Sequence, residues 1–72
     1  MAGGADTHKI EDSRVVRATR SAILVVAPDL EGEVWIPQSQ VHDDSDVYDD
    51  EDNAGPGDLV VSGWLADQRG WR

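Results

Sequence analysis

The sequence predicts a small α+β domain in which a curved antiparallel sheet is closed by one short C-terminal helix. Three observations lead to this prediction. Ile, Leu and Val cluster in short runs, turn residues separate those runs, and a helical pattern led by Ser stands near the C-terminus. We expect three or four strands that bend into a partial barrel. A chain of 72 residues has room for one such domain with a small core.

Four short runs account for the predicted strands. Residues 14–18 mix β-branched residues with Arg, and residues 22–27 are continuously apolar, which favours strand. Turn residues in PDLEG then precede residues 33–36, where polar and apolar side chains alternate until Pro37 ends the ladder. Residues 58–62, DLVVS, form the last predicted strand.

The C-terminal helix has clear start and stop signals. Ser62 is a suitable N-cap, and Gly70 a suitable terminator for a helix that runs through Arg69. Trp64 and Leu65 are expected to face the core. The helix therefore covers one side of the predicted sheet.

The other two tryptophans receive different interpretations. Core packing is the expected role of Trp35, because a base-stacking platform requires a basic groove that this chain lacks. Trp71 is either an exposed contact residue or a cover for the sheet.

Composition divides the chain into a lead-in and one domain. Residues 1–12 are rich in Gly, Ala and Asp without an apolar period, which predicts a flexible lead-in. Residues 13–72 form the single α+β domain, interrupted by an acidic loop at 42–57. Val47 and Tyr48 are the large apolar residues of that loop, and they are expected to pin its middle to the domain.

Negative charge is concentrated in the stretch DDSDVYDDED, residues 43–52. It carries seven carboxylates and no base, whereas the whole chain has 15 acids against 6 bases and a net charge of −9. Without this stretch eight acids would face six bases, a net charge of −2. Ten extended residues span roughly 33 Å, and ten helical residues span about 15 Å. In either conformation of this stretch, the spacing of its charges approaches that of a nucleic-acid backbone. The alternative is a solvated loop that keeps a small protein soluble.

The charge balance and the absence of Cys restrict the function classes. Direct nucleic-acid binding is not expected, since phosphate contacts need surface Lys and Arg. Arg14, Arg17 and Arg20 recur at every third residue, so on a regular strand they alternate between faces, and we expect them to pair with surface carboxylates. The chain has no disulfide framework and no apolar run long enough to span a membrane, which predicts a cytoplasmic protein.

Metal and enzyme chemistry are not predicted. Counted from Asp50, an EF-hand spacing places Ala54 and Val61 where oxygen ligands are required. Ser39 and His42 lie close to Asp43 and Asp44, but nearness in sequence does not make a catalytic triad. For His42 we expect a partly exposed side chain whose charged form is favoured by neighbouring carboxylates. Neither a cofactor nor a resident metal ion is expected.

The segments AILVV, GEVWIPQSQVHDDS and LVVSGWLADQRGW resemble a family of small phage and prophage proteins with the pattern A-I-L-V … G-E-x-W-I-P-x-S-Q-V … L-x-V-x-x-W-L-A-x-x-x-G. The resemblance covers about two thirds of the chain, from Ala18 onward. The residues that carry it are Trp35, Ile36, Pro37, Ser39, Gln40, Val41, Trp64, Leu65 and Ala66. It implies a phage-encoded accessory protein and assigns no catalytic residue. In size and charge the chain also resembles the DNA-mimic class of anti-CRISPR proteins.

These observations predict a phage-encoded inhibitor, acting as a monomer in the cytoplasm of the bacterial host. It would mimic DNA and occupy the basic DNA-binding surface of a host complex, with a CRISPR surveillance complex favoured. The predicted partner-binding residues are Asp43, Asp44, Asp46, Asp49, Asp50, Glu51 and Asp52, aided by Glu31 and Glu33 if the hairpin turn lies on the same face. The alternative is a phage accessory protein that docks on a replication or recombination protein through its hairpin and helix.

Overall fold

The computed structural model describes residues 6–71 and confirms the α+β prediction. Its elements are β1 (Thr7–Ala18), β2 (Ala22–Val26), β3 (Val34–Pro37), a 3-10 turn (Gln38–Gln40), β4 (Gly57–Ser62) and α1 (Gly63–Arg69). The four strands form one antiparallel sheet in the order β3-β2-β1-β4. The long loop that contains residues 43–52 connects the 3-10 turn to β4.

Strand β1 begins earlier than the sequence indicates. The predicted flexible lead-in is wrong for residues 7–12, because β1 pairs there with β4 and places Ile10, 1% exposed, opposite Leu59. Residues 1–5 of the lead-in lie outside the described residues. THKIED contains a single large apolar residue, so its strand conformation depends on the β4 edge rather than on its own pattern.

Two irregularities in β1 curve the sheet. The register with β4 shifts between Ile10 and Ser13, where Asp12 has a φ of 55° and the Ser13 hydroxyl donates to the Ile10 carbonyl. The register with β2 shifts again between Val15 and Arg17. Bulges increase strand twist and bending, so the first half of β1 pairs with β4 and the second half with β2.

The core lies between the inner faces of these strands and the helix. Alternate residues of β2 and β3 point inward, and Ile23, Val25 and Ile36 have no exposed surface. The other buried members of the cluster are Ile10, Val15, Leu30, Val47, Leu59, Val61 and Leu65. Val41 pairs with Val61 and packs against this cluster.

Helix α1 has the predicted caps. The Ser62 hydroxyl accepts a bond of 3.1 Å from the Leu65 amide, and Gly70 ends the helix with a φ of 75°. Leu65 is buried as predicted, but Trp64 is 60% exposed, so its predicted core position is wrong. Leu65 and Ala66 occupy the inward side of this short helix, which leaves Trp64 on the outer side.

The remaining two tryptophans differ from one another. Trp35 is 43% exposed and its predicted core role is wrong, because Val34 and Ile36 point to the inner side of β3 and the residue between them points outward. Trp71 is half-buried and packs against the core cluster. It therefore covers the sheet, one of the two roles expected for it.

Candidate functional site: an acidic surface

Residues 43–52, the acidic segment, follow the edge of the sheet closely. Before the segment, the His42 amide donates to the Val60 carbonyl at 2.7 Å, and within it the Asp46 amide donates to the Asp58 carbonyl at 2.7 Å. After it, the Val15 amide donates to the Ala54 carbonyl at 2.8 Å. The chain therefore passes along the free edge of β4 and returns beside β1. Between residues 47 and 53 it makes bends and turns, so neither a fully extended nor a helical conformation describes the segment.

Two small side chains fix the first half of the segment. The Ser45 hydroxyl donates to the Val60 carbonyl at 3.0 Å and accepts from the Val60 amide at 2.9 Å. Ser45 thus satisfies both backbone groups of a buried β4 residue. Val47 is 1% exposed and belongs to the core, which confirms that it pins the loop, whereas Tyr48 is 45% exposed. Asp44 and Asp46 flank Ser45 and point outward.

A carboxylate organises the second half of the segment. Asp49 accepts from the Asn53 amide at 2.9 Å, from the Glu51 amide at 3.0 Å and from the Asn53 side-chain amide at 3.1 Å. The Tyr48 amide donates to the Asn53 carbonyl at 2.9 Å and closes the turn. These bonds, the one from the Asn53 amide first, hold the pKa of Asp49 below its ordinary value of 3.8.

Two further carboxylates of the segment accept bonds from backbone amides. Asp50 Oδ2 accepts from the Ala18 amide at 3.2 Å, at the end of β1. Asp46 Oδ2 accepts from the Asp58 amide at 3.4 Å. Together with Asp49, three of the seven acids therefore help to hold the segment in place.

The other four acids of the segment are exposed and carry its negative charge outward. They are Asp43, Asp44, Glu51 and Asp52. Asp44 Oδ2 lies 3.5 Å from His42 Nδ1, and the same nitrogen accepts a bond from the Asp44 amide at 3.1 Å. In the part of the chain that the structure describes, no Lys or Arg forms an ion pair with the segment. Its charge is therefore available to a partner.

Glu31 and Glu33 do not extend this surface. Both are exposed in the turn between β2 and β3, which follows Val26. The Asp50 contact is at Ala18, which pairs with Ile23 at the opposite end of β2. Glu31 instead lines a groove of about 450 Å³ with Arg69 and other residues near the helix C-terminus. The hairpin turn thus lies at the opposite end of β2 from the Asp50 contact.

The arginines of β1 do not behave as the sequence predicts. The register shift at Val16 places Arg14 opposite Val26 and Arg17 opposite Leu24, so both arginines share the outer face. The expected alternation between faces is therefore wrong for this pair. The expected pairing with carboxylates is also wrong, since within residues 6–71 neither these two arginines nor Arg20 form an ion pair.

The geometry around His42 contains no assembled catalytic group. A shallow groove of about 270 Å³ is lined by Gln38, Val41, His42, Asp43 and Tyr48. Ser39 Oγ accepts a long bond of 3.5 Å from the neighbouring Gln40 side chain and has no bond to His42. Among residues 6–71 no group of three or more His, Asp or Glu is placed to hold a metal ion. None of the helices in that range is long and apolar enough to cross a membrane.

Comparisons with protein-family models, with curated proteins and with solved structures find no match.

Proposed function

We propose that the protein is an inhibitor that binds the basic DNA-binding surface of another protein by mimicking DNA. The observation that carries the proposal is the ordered acidic segment: three of its carboxylates accept backbone bonds, and its other four acids are exposed. A surface held in place before binding loses less conformational entropy on association than a flexible acidic loop does. The acidic segment is thus suited to binding and not only to solubility.

The partner's chemistry follows from the charge. Clustered carboxylates without counter-charges attract Lys and Arg side chains, which are the groups that hold DNA phosphates. Association should be fast at low ionic strength and weaker in salt, because charge pairing steers the encounter. Neither turnover nor a cofactor is needed for an inhibitor that acts by occupying a surface.

The first partner to test follows from the resemblance to phage proteins. In our proposal the protein is phage-encoded, works in the cytoplasm of the bacterial host and blocks target-DNA binding by a CRISPR surveillance complex. DNA and the inhibitor would compete for one basic channel, so inhibition should weaken when DNA is added first.

The structure allows a charge-matched test. One variant carries Asp43→Asn, Glu51→Gln and Asp52→Asn, which removes exposed charge and spares the acids that accept backbone bonds. The control carries Glu11→Gln, Asp29→Asn and Glu31→Gln, at exposed positions outside the segment. Each variant has 12 acids against 6 bases and a net charge of −6.

Inhibition of DNA binding by purified surveillance complexes is measured with the native protein and both variants. We expect the segment variant to lose inhibition by at least about tenfold and the control to change by less than about threefold. Equal loss in both would show that only net charge matters, and full inhibition by the segment variant would contradict mimicry.

A second candidate function is favoured by the two exposed tryptophans. Trp35 on β3 and Trp64 on α1 lie on the hairpin and the helix that the sequence offers as an interface. The protein would then dock on a phage replication or recombination protein. A Trp64→Ala variant that loses binding to such a partner, while the segment variant retains it, would favour this alternative.

A further inference from the structure

The outer face of β1, β2 and β3 carries a row of side chains that crosses three strands. The register places Arg17 opposite Leu24, and Leu24 opposite Trp35. All three point away from the core, with Arg17 exposed, Leu24 half-buried and Trp35 43% exposed. Across the three strands the row therefore consists of a cationic, an aliphatic and an aromatic side chain.

Opposite charges stand at the two ends of this row. Beyond β1, the carboxylate of Asp50 accepts a bond from the Ala18 amide, next to Arg17. Beyond β3, Arg69 donates through Nη2 to the Trp35 carbonyl at 3.2 Å. The three outer-face side chains are thus flanked by an acid at one edge and a base at the other.

A second row runs beside the first. Arg14 lies opposite Val26. The β2–β3 register ends at Val25 opposite Val34, and Glu33 immediately precedes Val34, at the end of β3 nearest Val26. Glu33 is exposed and stands just before β3, which begins at Val34. The second row therefore consists of a basic, an aliphatic and an acidic side chain.

We propose that the outer face binds the same face of a second copy of this chain, with a two-fold axis parallel to β2. This symmetry places β1 of one copy over β3 of the other. Each residue keeps its position along the strand direction. Leu24 then meets Leu24 of the second copy, Arg17 lies over the ring of its Trp35, and Arg14 meets its Glu33. At the two edges of the interface, Asp50 of one copy meets Arg69 of the other. Every position faces a complementary one, and the dimer replaces the monomer expected from the sequence.

Charge complementarity also selects the axis. A two-fold axis across the strands would place β1 on β1 and exchange the two rows. Arg14 would then face Arg17 of the second copy, and Trp35 would face its Glu33. Like charges in contact oppose association, so the axis along β2 is the favoured one.

The first test is sedimentation of the full chain from micromolar to millimolar concentration. Leu24→Glu places two carboxylates together at the axis and should weaken dimerisation on the order of a hundredfold or more. Trp64→Ser, which removes a more exposed apolar side chain outside the face, should leave it unchanged. A native protein that stays monomeric at every concentration, or a Leu24→Glu variant that still dimerises, would overturn the proposal.

A charge exchange keeps the test independent of any folding defect. Arg14→Glu and Glu33→Arg alone should each weaken the dimer about tenfold, because like charges then meet across the interface. The double variant should return to within about threefold of the native protein, since the pair is restored with its order reversed. A double variant as weak as the two single losses combined would contradict the assigned contact.

Dimerisation does not depend on the proposed inhibitor function. The neutralised residues Asp43, Glu51 and Asp52 lie outside both rows, so that variant should remain dimeric. Loss of inhibition with an intact dimer, or loss of the dimer with intact inhibition, would separate the two proposals.

Discussion

The β2–β3 hairpin and the acidic segment are held in place by different interactions. The hairpin buries Ile23, Val25 and Ile36 completely, and its ladder follows from apolar alternation. The acidic segment buries Val47 as its one large apolar side chain and otherwise relies on hydrogen bonds of Ser45 and Asp49. Seven acids in ten residues can be ordered because several of them accept bonds from backbone amides.

The same comparison distinguishes two kinds of charge. On the sheet, Arg14 and Arg17 stand on an outer face that strand pairing fixes. In the acidic segment, Asp49 and Asp50 form part of the structure, while Asp43, Glu51 and Asp52 are exposed. Neutralising the first group of acids should alter the segment's structure, and neutralising the second group should alter only its charge.

The largest effect is expected where the segment returns to β1. Gly55 has a φ of 103°, and a Cβ there would overlap the Ser13 carbonyl oxygen and lie 2.9 Å from Val47 Cγ1. Gly55→Ala should lower the free energy of unfolding by about 3 kcal/mol or more, measured by urea titration. Gly32→Ala is the control, because it has a φ of 69° but open space, and should cost about 1 kcal/mol. Equal losses would show that the close approach at Gly55 is unimportant.

Two neighbouring residues test whether the segment is attached to the core. Val47→Ala should cost about 2 kcal/mol of unfolding free energy, because a buried side chain leaves a cavity. Tyr48→Ala should stay within about 0.5 kcal/mol of the native protein, since Tyr48 is 45% exposed. A larger loss at Tyr48 than at Val47 would mean that the segment packs differently.

The bond between Ser45 and β4 should have a smaller effect. Ser45→Ala leaves the amide and carbonyl of Val60 without their side-chain partner, at a cost of about 1 to 2 kcal/mol in urea unfolding. Ser39→Ala is a matched change at an exposed position whose hydroxyl accepts only a long bond. It should be neutral, and a Ser45 variant equally neutral would argue against the edge contact.

The pH dependence of Asp49 should give the smallest signal. Its pKa is lowered in the folded state, so its contribution is complete above the ordinary value of 3.8 and is lost as pH falls through the lowered value. Asp49→Asn also sets an amide against the Asn53 amide. The stability difference between native and variant should therefore stay constant from neutral pH down to about 3.8 and shrink as pH falls below 3.8. A difference that stays constant as pH falls below 3.8 would contradict the role of the carboxylate.

The fold prediction succeeds where local sequence patterns determine the structure and fails where pairing or the facing of a side chain determines it. The strands, the Ser62 cap and the Gly70 terminator are local features, and the structure confirms them. The core role expected for Trp35 is wrong, because Val34 and Ile36 on either side of it point inward and leave it on the outer face. Residues 7–12 carry no such pattern, because their strand depends on pairing with β4.

The candidate site could be predicted only as a region. Composition identifies the acidic segment, but the role of each acid depends on distant backbone groups. Asp50 accepts from Ala18, 32 residues away, and Asp46 accepts from Asp58, 12 residues away. The shift at Val16 that brings Arg14 and Arg17 to one face has no signature in SRVVRATR. Local sequence therefore could not separate the structural charges from the exposed ones.

Amide hydrogen exchange of the free protein is the most direct test of the central claim that the acidic surface is ordered before a partner binds. The amides of His42, Asp46 and Tyr48 donate to carbonyls at 2.7, 2.7 and 2.9 Å, so they should exchange much more slowly than in an unfolded chain. Val15, whose amide donates to Ala54, should be protected with them. Exchange at Asp46 and Tyr48 at the rate of an unfolded chain, with the β2–β3 amides still protected, would contradict an ordered surface.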